Sequence, residues 1–453
     1  MKVNFQTAMG AVKPMHATNN GPVVPFKNAE RTEIRTLHPF NSNLNEFKAA
    51  GIPYARTHDA SFYHRWGQEH VIDVYYLFPN FDADPDNPSN YDFTCTDAYV
   101  CGCAMAGTEV FYRLGHRIEH EIKKYGIVPP KDFKKWAIIC EHIIRHYTEG
   151  WADGFHYKMT YWEIWAEPDL HWNTKSVSPM WAGTKEQYFE LYDVTSKHLK
   201  SCFPHLKIGG PALSDNLEWA GLFLDQLEAP IDFFSWHWYG NRIEEMLDRA
   251  HAIRELLDRH GLHNVESIMD EWNYIQSWDY NDIVYSHDLR GKSKCASFEV
   301  ATMCAGQYSP TDMLMYYDAR PNEFWNGLFD CRVIGRVLKG YYPFPMFNTL
   351  YRLGTCVAAE SDELGGYICA ARNDTEAAVL LTHFNDDDTT EPKTVSIELD
   401  GFGGENGTEI ELYLLDETHD CEPVGRATYF GERFVPELIL PNFTSYLLKL
   451  KKK

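Results

Sequence analysis

Apolar and polar positions along residues 1–354 follow two alternating rhythms. Short apolar runs of strand length lie at 3–9, 54–58, 109–114, 159–165, 207–213, 231–238, 267–271 and 312–317. Between several of them apolar residues return at helical spacing. Trp136, Ile139, Cys140, Ile143, Ile144 and Tyr147 form one stripe, the pattern of a helix buried along one side. Residues 184–200 and 242–259 behave alike. Eight strand-then-helix units predict a (β/α)8 barrel over residues 1–354, a fold that carries its chemistry on the loops after the strand C-termini. An open doubly wound sheet is the competing arrangement, but no Gly-x-Gly-x-x-Gly turn follows the first run.

After residue 354 the rhythm changes to strict alternation. Residues 377–383, 394–399, 410–414 and 445–449 alternate between the two classes and are separated by Gly, Asn and Asp clusters, as in antiparallel sheets with one wet face. An all-β sandwich is therefore expected over residues 355–453. It holds 8 Lys and Arg against 20 Asp and Glu, a net −12, and no tryptophan. Its Asp386-Asp-Asp388 and Lys451-Lys-Lys453 clusters are read most simply as solvated loop and end.

Composition narrows the partners. The net charge of −23 repels nucleic acid and anionic membrane surfaces. No run of 18 apolar residues occurs, and the first residues lack the apolar core of a secretory signal. Eleven scattered cysteines fit reduced thiols better than a disulfide framework, so a cytoplasmic protein is expected. Aromatic residues reach 15%, including 13 Trp, which suits a site with a dry face and a polar edge.

Two segments carry candidate chemistry. In Tyr161-Trp-Glu-Ile-Trp-Ala-Glu-Pro-Asp-Leu170 an apolar run ends at Glu167, and Pro168 forbids further regular pairing. In Ser267-Ile-Met-Asp-Glu-Trp-Asn-Tyr274 a second run ends at Glu271. Two glutamates at the tips of different barrel strands can meet across the mouth. Cleaving a glycosidic bond with retention needs two carboxyls about 5–5.5 Å apart, one a nucleophile and one a proton donor. Either glutamate alone is as readily an inconsequential strand-end acid; their joint occurrence among tryptophans favours chemistry.

Trp162-Glu-Ile-Trp-Ala-Glu-Pro-Asp169 resembles the WEIWNEPD segment of glycoside hydrolase family 39. Ala55-Arg-Thr-His-Asp59, Ile208-Gly-Gly-Pro-Ala212, the stretch from Trp181 to Tyr192, and Asp232-Phe-Phe-Ser-Trp-His-Trp-Tyr239 are similar to that family in its order. The resemblance implies a retaining barrel glycosidase followed by a β-sandwich, with Glu167 as acid/base and Glu271 as nucleophile. It also implies that His237 and Tyr239 contact the sugar at the cleavage point and orient the nucleophile. A tyrosine hydroxyl can hold a carboxylate without discharging it, and an imidazole can donate to a sugar hydroxyl. A buried histidine bonded to backbone is the alternative for His237.

One position departs from the pattern: Ala166 stands where the family has Asn. That Asn hydrogen-bonds the sugar 2-hydroxyl, a bond that strengthens in the transition state, and alanine makes none. Either the sugar differs at its 2-position, another residue supplies the bond, or catalysis is weak. The first two are preferred together, because both glutamates and their aromatic surroundings are present.

Further candidate contacts are Asn20 in the turn after the first run, His58 at the end of the second, and Tyr317, Asp318 and Trp325 at and beyond the eighth. His58-Asp59 binds a hydroxyl pair or simply pairs with Arg56. Trp165 and Trp272, beside the two glutamates, are candidate stacking faces, with packing under loops as the alternative. His116 and His120 resemble a metal pair at i, i+4 but lack the HExxH glutamate placement, and no second Cys pair or His follows Cys95, Cys101 and Cys103 at zinc-finger spacing; no metal and no cofactor is expected. The expected function is an exo-acting retaining glycosidase releasing a terminal pentose from an oligosaccharide or glycoside, β-xylosidase-like. An α-L-arabinosidase or a galactose-releasing enzyme comes next, and a sugar-binding protein with little turnover is the reading from another class. A homo-oligomer is compatible with all of these.

Overall fold

The computed structural model describes residues 1–24, 42–58, 71–116, 124, 126–172, 179–321, 324–333 and 335–453. The first strand, β1 (Lys2–Ala11), is followed by eight that close a barrel. These are β2 (Ala17–Asn19), β3 (Tyr54–Arg56), β4 (Glu109–Leu114), β5 (Tyr161–Ile164), β6 (Lys207–Leu213), β7 (Phe233–Gly240), β8 (Glu266–Tyr274) and β9 (Met313–Tyr316). Each pairs in parallel with the next, and β9 returns to β2. The expected helices are present at Phe133–Thr148, Lys185–Cys202 and Ile243–Arg259, with their apolar stripes buried. The second begins at a capping box in which Thr184 and Gln187 bond each other's backbone N–H.

The barrel differs from the expected one at its first strand. The run at 3–9 is not a barrel strand: β1 pairs antiparallel with β10 (Thr355–Glu360) and parallel with β14 (Glu398–Asp400). Its burial explains why. Val3 and Phe5 are buried and their neighbours are exposed, a one-sided strand, whereas strands of a parallel barrel are covered on both faces. The true first barrel strand is three residues long, Ala17-Thr-Asn19, too short and polar to leave a periodic signal.

The all-β region completes itself with β11 (Gly366–Arg372), β12 (Glu376–His383), β13 (Lys393–Ser396), β15 (Thr408–Leu415), β16 (Asp420–Tyr429), β17 (Arg433–Phe434), β18 (Glu437–Leu440) and β19 (Thr444–Lys452). Nine strands make one sheet in the order β16-β15-β19-β12-β11-β10-β1-β14-β17, and β13 and β18 form a separate ribbon. One core lies within this region, from Val3 and Phe5 to Leu448 and Leu450. The other face joins the barrel core through Cys369, Leu380 and Phe384. Helix Ser293–Tyr308 is buried along almost its whole length at this junction. No described helix is long and apolar enough to cross a membrane, and all eleven cysteines are free.

Inside the barrel, side chains stack in layers because alternate strand residues point inward. Ala17, Phe111, Tyr161, Phe233, Ile268, Met313 and Met315 form an apolar floor, with Tyr54 packed against it. Two residues further along each strand the layer turns polar: Asn19, Arg56, Arg113, Glu163, Ser235 and Asp270, all with zero exposure. β6 passes this level with Gly209, where a Cβ would lie 2.3 Å from the Phe233 carbonyl oxygen. That close approach accounts for the glycine in Ile208-Gly-Gly-Pro-Ala212.

Candidate active site

Glu167 is placed by backbone more than by side chain. Trp165 and Glu167 both have positive φ, +73° and +47°, so the chain turns sharply as it leaves β5, and Pro168 prevents it from pairing on. The Glu167 N–H donates to the Ala212 carbonyl at the end of β6, 2.9 Å away. Asp169 then accepts the backbone N–H groups of Ser214, Asp215 and Asn216. The glutamate tip is thereby fixed to the neighbouring strand. Glu167 Oε1 meets His237 Nδ1 at 2.8 Å. Its Oε2 has no hydrogen-bond partner among the described residues.

Glu271 arrives by another device. The pairing of β7 with β8 jumps from Trp236↔Met269 to His237↔Glu271, an irregularity at Asp270. Such a bulge puts two residues opposite one and re-aims the side chains. Consecutive Asp270 and Glu271 therefore both face Arg56, whose Nε lies 3.0 Å from Asp270 Oδ2 and whose Nη1 donates to Glu271 Oε1 at 2.7 Å. The Tyr239 hydroxyl donates to Glu271 Oε2 at 2.8 Å, and His58 Nε2 stands 3.3 Å from Oε1. Oxygens of Glu167 and Glu271 and a nitrogen of His237 all lie within 4.8 Å of one another.

The electrostatics follow from these contacts. Burial pushes the Glu271 carboxyl up, but His237, His58 and Arg56 outweigh it and hold the group well below the usual carboxylate range. Asp270 goes the other way. Burial and the neighbouring carboxylate of Glu163 raise it far above its ordinary value despite Arg56. Glu163 accepts from Arg56 Nε at 2.7 Å and from the Ser235 hydroxyl at 2.6 Å. Burial and Glu271 keep the Tyr239 hydroxyl protonated.

The remaining expected contacts divide into two sets. His58 packs edge-on against Tyr317, ring centroids 4.9 Å apart. Asn20 donates to Asp318 Oδ2 at 3.1 Å, which fixes the strand end. Trp325 lies half-buried against Tyr239, centroids 5.0 Å apart. These lie beside Glu271, directly or through His58 and Tyr239. The side chains of Trp165 and Trp272 do not. Trp165 is fully buried, donates to the Met180 carbonyl, and packs on Trp136 and Trp181. Trp272 follows inward-facing Glu271, points outward, and packs on Phe298 and Tyr316. Both are packing residues behind the strands. Ala166 is buried and offers no donor. Asp59 and His120 lie outside the described residues.

Glu163, Arg56 and Asp270 are the residues the sequence reading did not place in the site. The available signal was weak: acids within apolar strands at the spacing of an inward-facing layer. Glu167, His237 and Glu271 also have the mutual spacing of a cation site. His237 Nδ1 is engaged with Glu167, however, and the Arg56 guanidinium sits against Glu271, surroundings that oppose a second positive charge. A half-buried Glu141, His198 and Cys202 group lies on the outer helices, with Arg145 bonded to Glu141.

Two acids facing each other across the mouth of a closed parallel barrel define a class, the glycoside hydrolases that work with paired carboxyl groups. Residues 80–437 match the family described as glycosyl hydrolases family 39, and the chain belongs to that family. It is 29% identical to a β-xylosidase of Geobacillus stearothermophilus over 228 residues, 44% of each chain. It is 24% identical to a β-xylosidase of Caldicellulosiruptor saccharolyticus over 343 residues, 70% of this chain and 67% of that one. The chain thus spans less than half of the Geobacillus enzyme and about two thirds of the other. Among solved structures, a glucosidase from Croceicoccus marinus superposes with a TM-score of 0.76 at 20% identity, covering 100% of this chain and 98% of that one. A monomeric β-xylosidase from Caulobacter crescentus gives 0.70 at 16%, covering 100% and 99%.

Proposed function

We propose that the protein is a retaining exo-glycosidase that releases a terminal pentose, in the manner of a β-xylosidase, within a reducing compartment. The observation that carries the retaining mechanism is the approach of Glu167 and Glu271 oxygens to within 4.8 Å, which suits the separation of about 5–5.5 Å used for retention rather than the wider gap in which inversion seats a water between base carboxylate and sugar. Glu271, ionised by its neighbours, attacks the anomeric carbon and forms a glycosyl ester as the glycosidic C–O bond breaks. The proton for the departing oxygen comes from Glu167, whose Oε2 is the oxygen left open by His237. Glu167 then takes a proton from water, and the water oxygen replaces Glu271 at the anomeric carbon. Tyr239 holds Glu271 Oε2 and leaves its charge in place. The 2-hydroxyl neighbours the carbon under attack, so His58, 3.3 Å from Glu271 Oε1, is the donor best placed to substitute for the amide missing at Ala166.

The test is a panel of nitrophenyl pentosides and hexosides of both anomers, followed by trapping with the 2-deoxy-2-fluoro form of the preferred sugar. Stoichiometric release of the leaving group and a covalent label on Glu271 are expected. Ala166 favours one rival, a sugar-binding protein with little turnover. No label with any donor, together with retained sugar binding, would establish that rival.

A further inference from the structure

We propose that Trp278 is the platform for the substrate unit adjoining the one released, and that Asp386 of the C-terminal sheet is the positioning residue for the loop that carries it. The proposal rests on the glycosidase reading above and extends it to the leaving group, which should present a flat ring face.

Trp278 is 62% exposed, and it is the one exposed tryptophan among the described residues. A single exposed ring is unremarked on most surfaces, but this one stands on fixed backbone. Ile275 is buried and its N–H donates to the Gly240 carbonyl at 3.1 Å. The Gln276 N–H donates to the Ser286 hydroxyl at 2.9 Å, and the Ser277 hydroxyl donates to Asp282 at 2.6 Å while accepting the Asp279 N–H. An apolar ring held in water by a loop that cannot collapse over it is a surface prepared for a ligand, because the ordering cost is met before binding.

Its position identifies the ligand. The Trp278 ring lies 5.9 Å from Tyr239 and 6.1 Å from Trp325, centroid to centroid, and the Tyr239 hydroxyl is bonded to Glu271. From the nucleophile outward the wall runs Glu271, Tyr239, Trp278, one ring beyond the sugar that Glu271 attacks. An indole face suits the C–H face of a pyranose or a planar aglycone and offers little to an anionic or small one.

The brace comes from the other region of the chain. The Asp386 carboxylate accepts the Tyr274 hydroxyl at 2.7 Å and the Asn241 side-chain N–H at 2.6 Å, and pairs with Lys294 at 3.0 Å. Tyr274 ends the strand that bears Glu271, and Asn241 directly follows the strand that bears His237 and Tyr239. Asp386, from the acidic cluster expected to be solvated, thus clamps two strand ends at the barrel mouth.

The experiment compares kcat/KM on two substrates of the preferred sugar: its disaccharide and its trifluoroethyl glycoside, whose leaving alcohol has no ring. Trp278→Ala should lower the value for the disaccharide about tenfold more than for the trifluoroethyl glycoside, and Trp278→Phe should recover most of the difference. Asp386→Ala should act in the same direction, through KM rather than kcat. Equal losses on both substrates, or an undiminished rate on the disaccharide, would overturn the platform while leaving the glycosidase reading intact. A wild-type protein that turns over neither substrate overturns both.

Discussion

Residues 1–354 and 355–453 carry nearly equal net charge, −11 and −12, but the barrel differs in keeping one cluster of its charges out of water. In the barrel, Arg56, Glu163 and Asp270 have no exposure, and Glu271 has almost none. In the sheet, pairs such as Lys451 with Glu376 and Arg433 with Glu398 lie on the surface, with the cationic partners 68% and 62% exposed. A surface pair gains little, because water already satisfies both ions. A buried cluster forfeits its hydration and is tenable only while every member remains. The sheet's pairs lie in water, apart from the clamp at Asp386; the barrel's cluster holds Glu271 ionised out of water.

Removing the centre of the buried cluster should have the largest effect. Glu271→Gln is expected to cut kcat by about 10⁴-fold or more while the far-ultraviolet circular dichroism stays native. A variant within tenfold of wild type would mean that another residue is the nucleophile. Arg56→Met removes the cation shared by three carboxyl groups and should cost ~3–5 kcal/mol of stability, read as the urea midpoint.

Asp270→Asn tests the proton kept beside Glu271. The native Asp270 carboxyl is raised by burial and Glu163, whereas the unfolded chain releases that proton above about pH 4. Folding therefore takes up a proton, and this contribution to stability, complete at low pH, is lost as pH rises through the native value. The variant should show a flatter decline of stability between pH 4 and neutrality. The smallest effect belongs to the sheet: Lys451→Ala should leave the urea midpoint within the scatter of repeated measurements.

The same contrast explains what the sequence made legible. The strand ending in Glu167 stood out because an apolar run, an acid and a proline follow one another, and the Glu271 strand because two acids close another apolar run. Glu163 and Asp270 were obscured for a geometric reason. Which way a strand residue faces depends on counting from a known position, and no inward position was known on either strand; on β8 the irregularity also brings Glu271 inward beside Asp270 and so breaks the alternation. Trp165 and Trp272 were placed in the cleft by their nearness in sequence to the glutamates, yet Trp272 is the immediate strand neighbour of Glu271 and points to the opposite side, while Trp165 lies past the end of β5, where a positive φ turns the chain. β1 looked like a barrel strand because an apolar run does not say which partner it pairs with. Asp386 was invisible as a clamp, since Asn241 and Tyr274 lie more than a hundred residues away in sequence.

The pairing of β1 with β10 has a consequence for how the chain comes to its final state. Lys2 meets Glu360, a separation of roughly 350 residues, and closing so long a loop is slow compared with local helix and hairpin formation. During synthesis the barrel segments emerge and can begin to associate while β1 still has no partner, its Val3 and Phe5 side chains uncovered. The sheet therefore gains its seventh strand late, and refolding should show a slow last phase in which β1 docks.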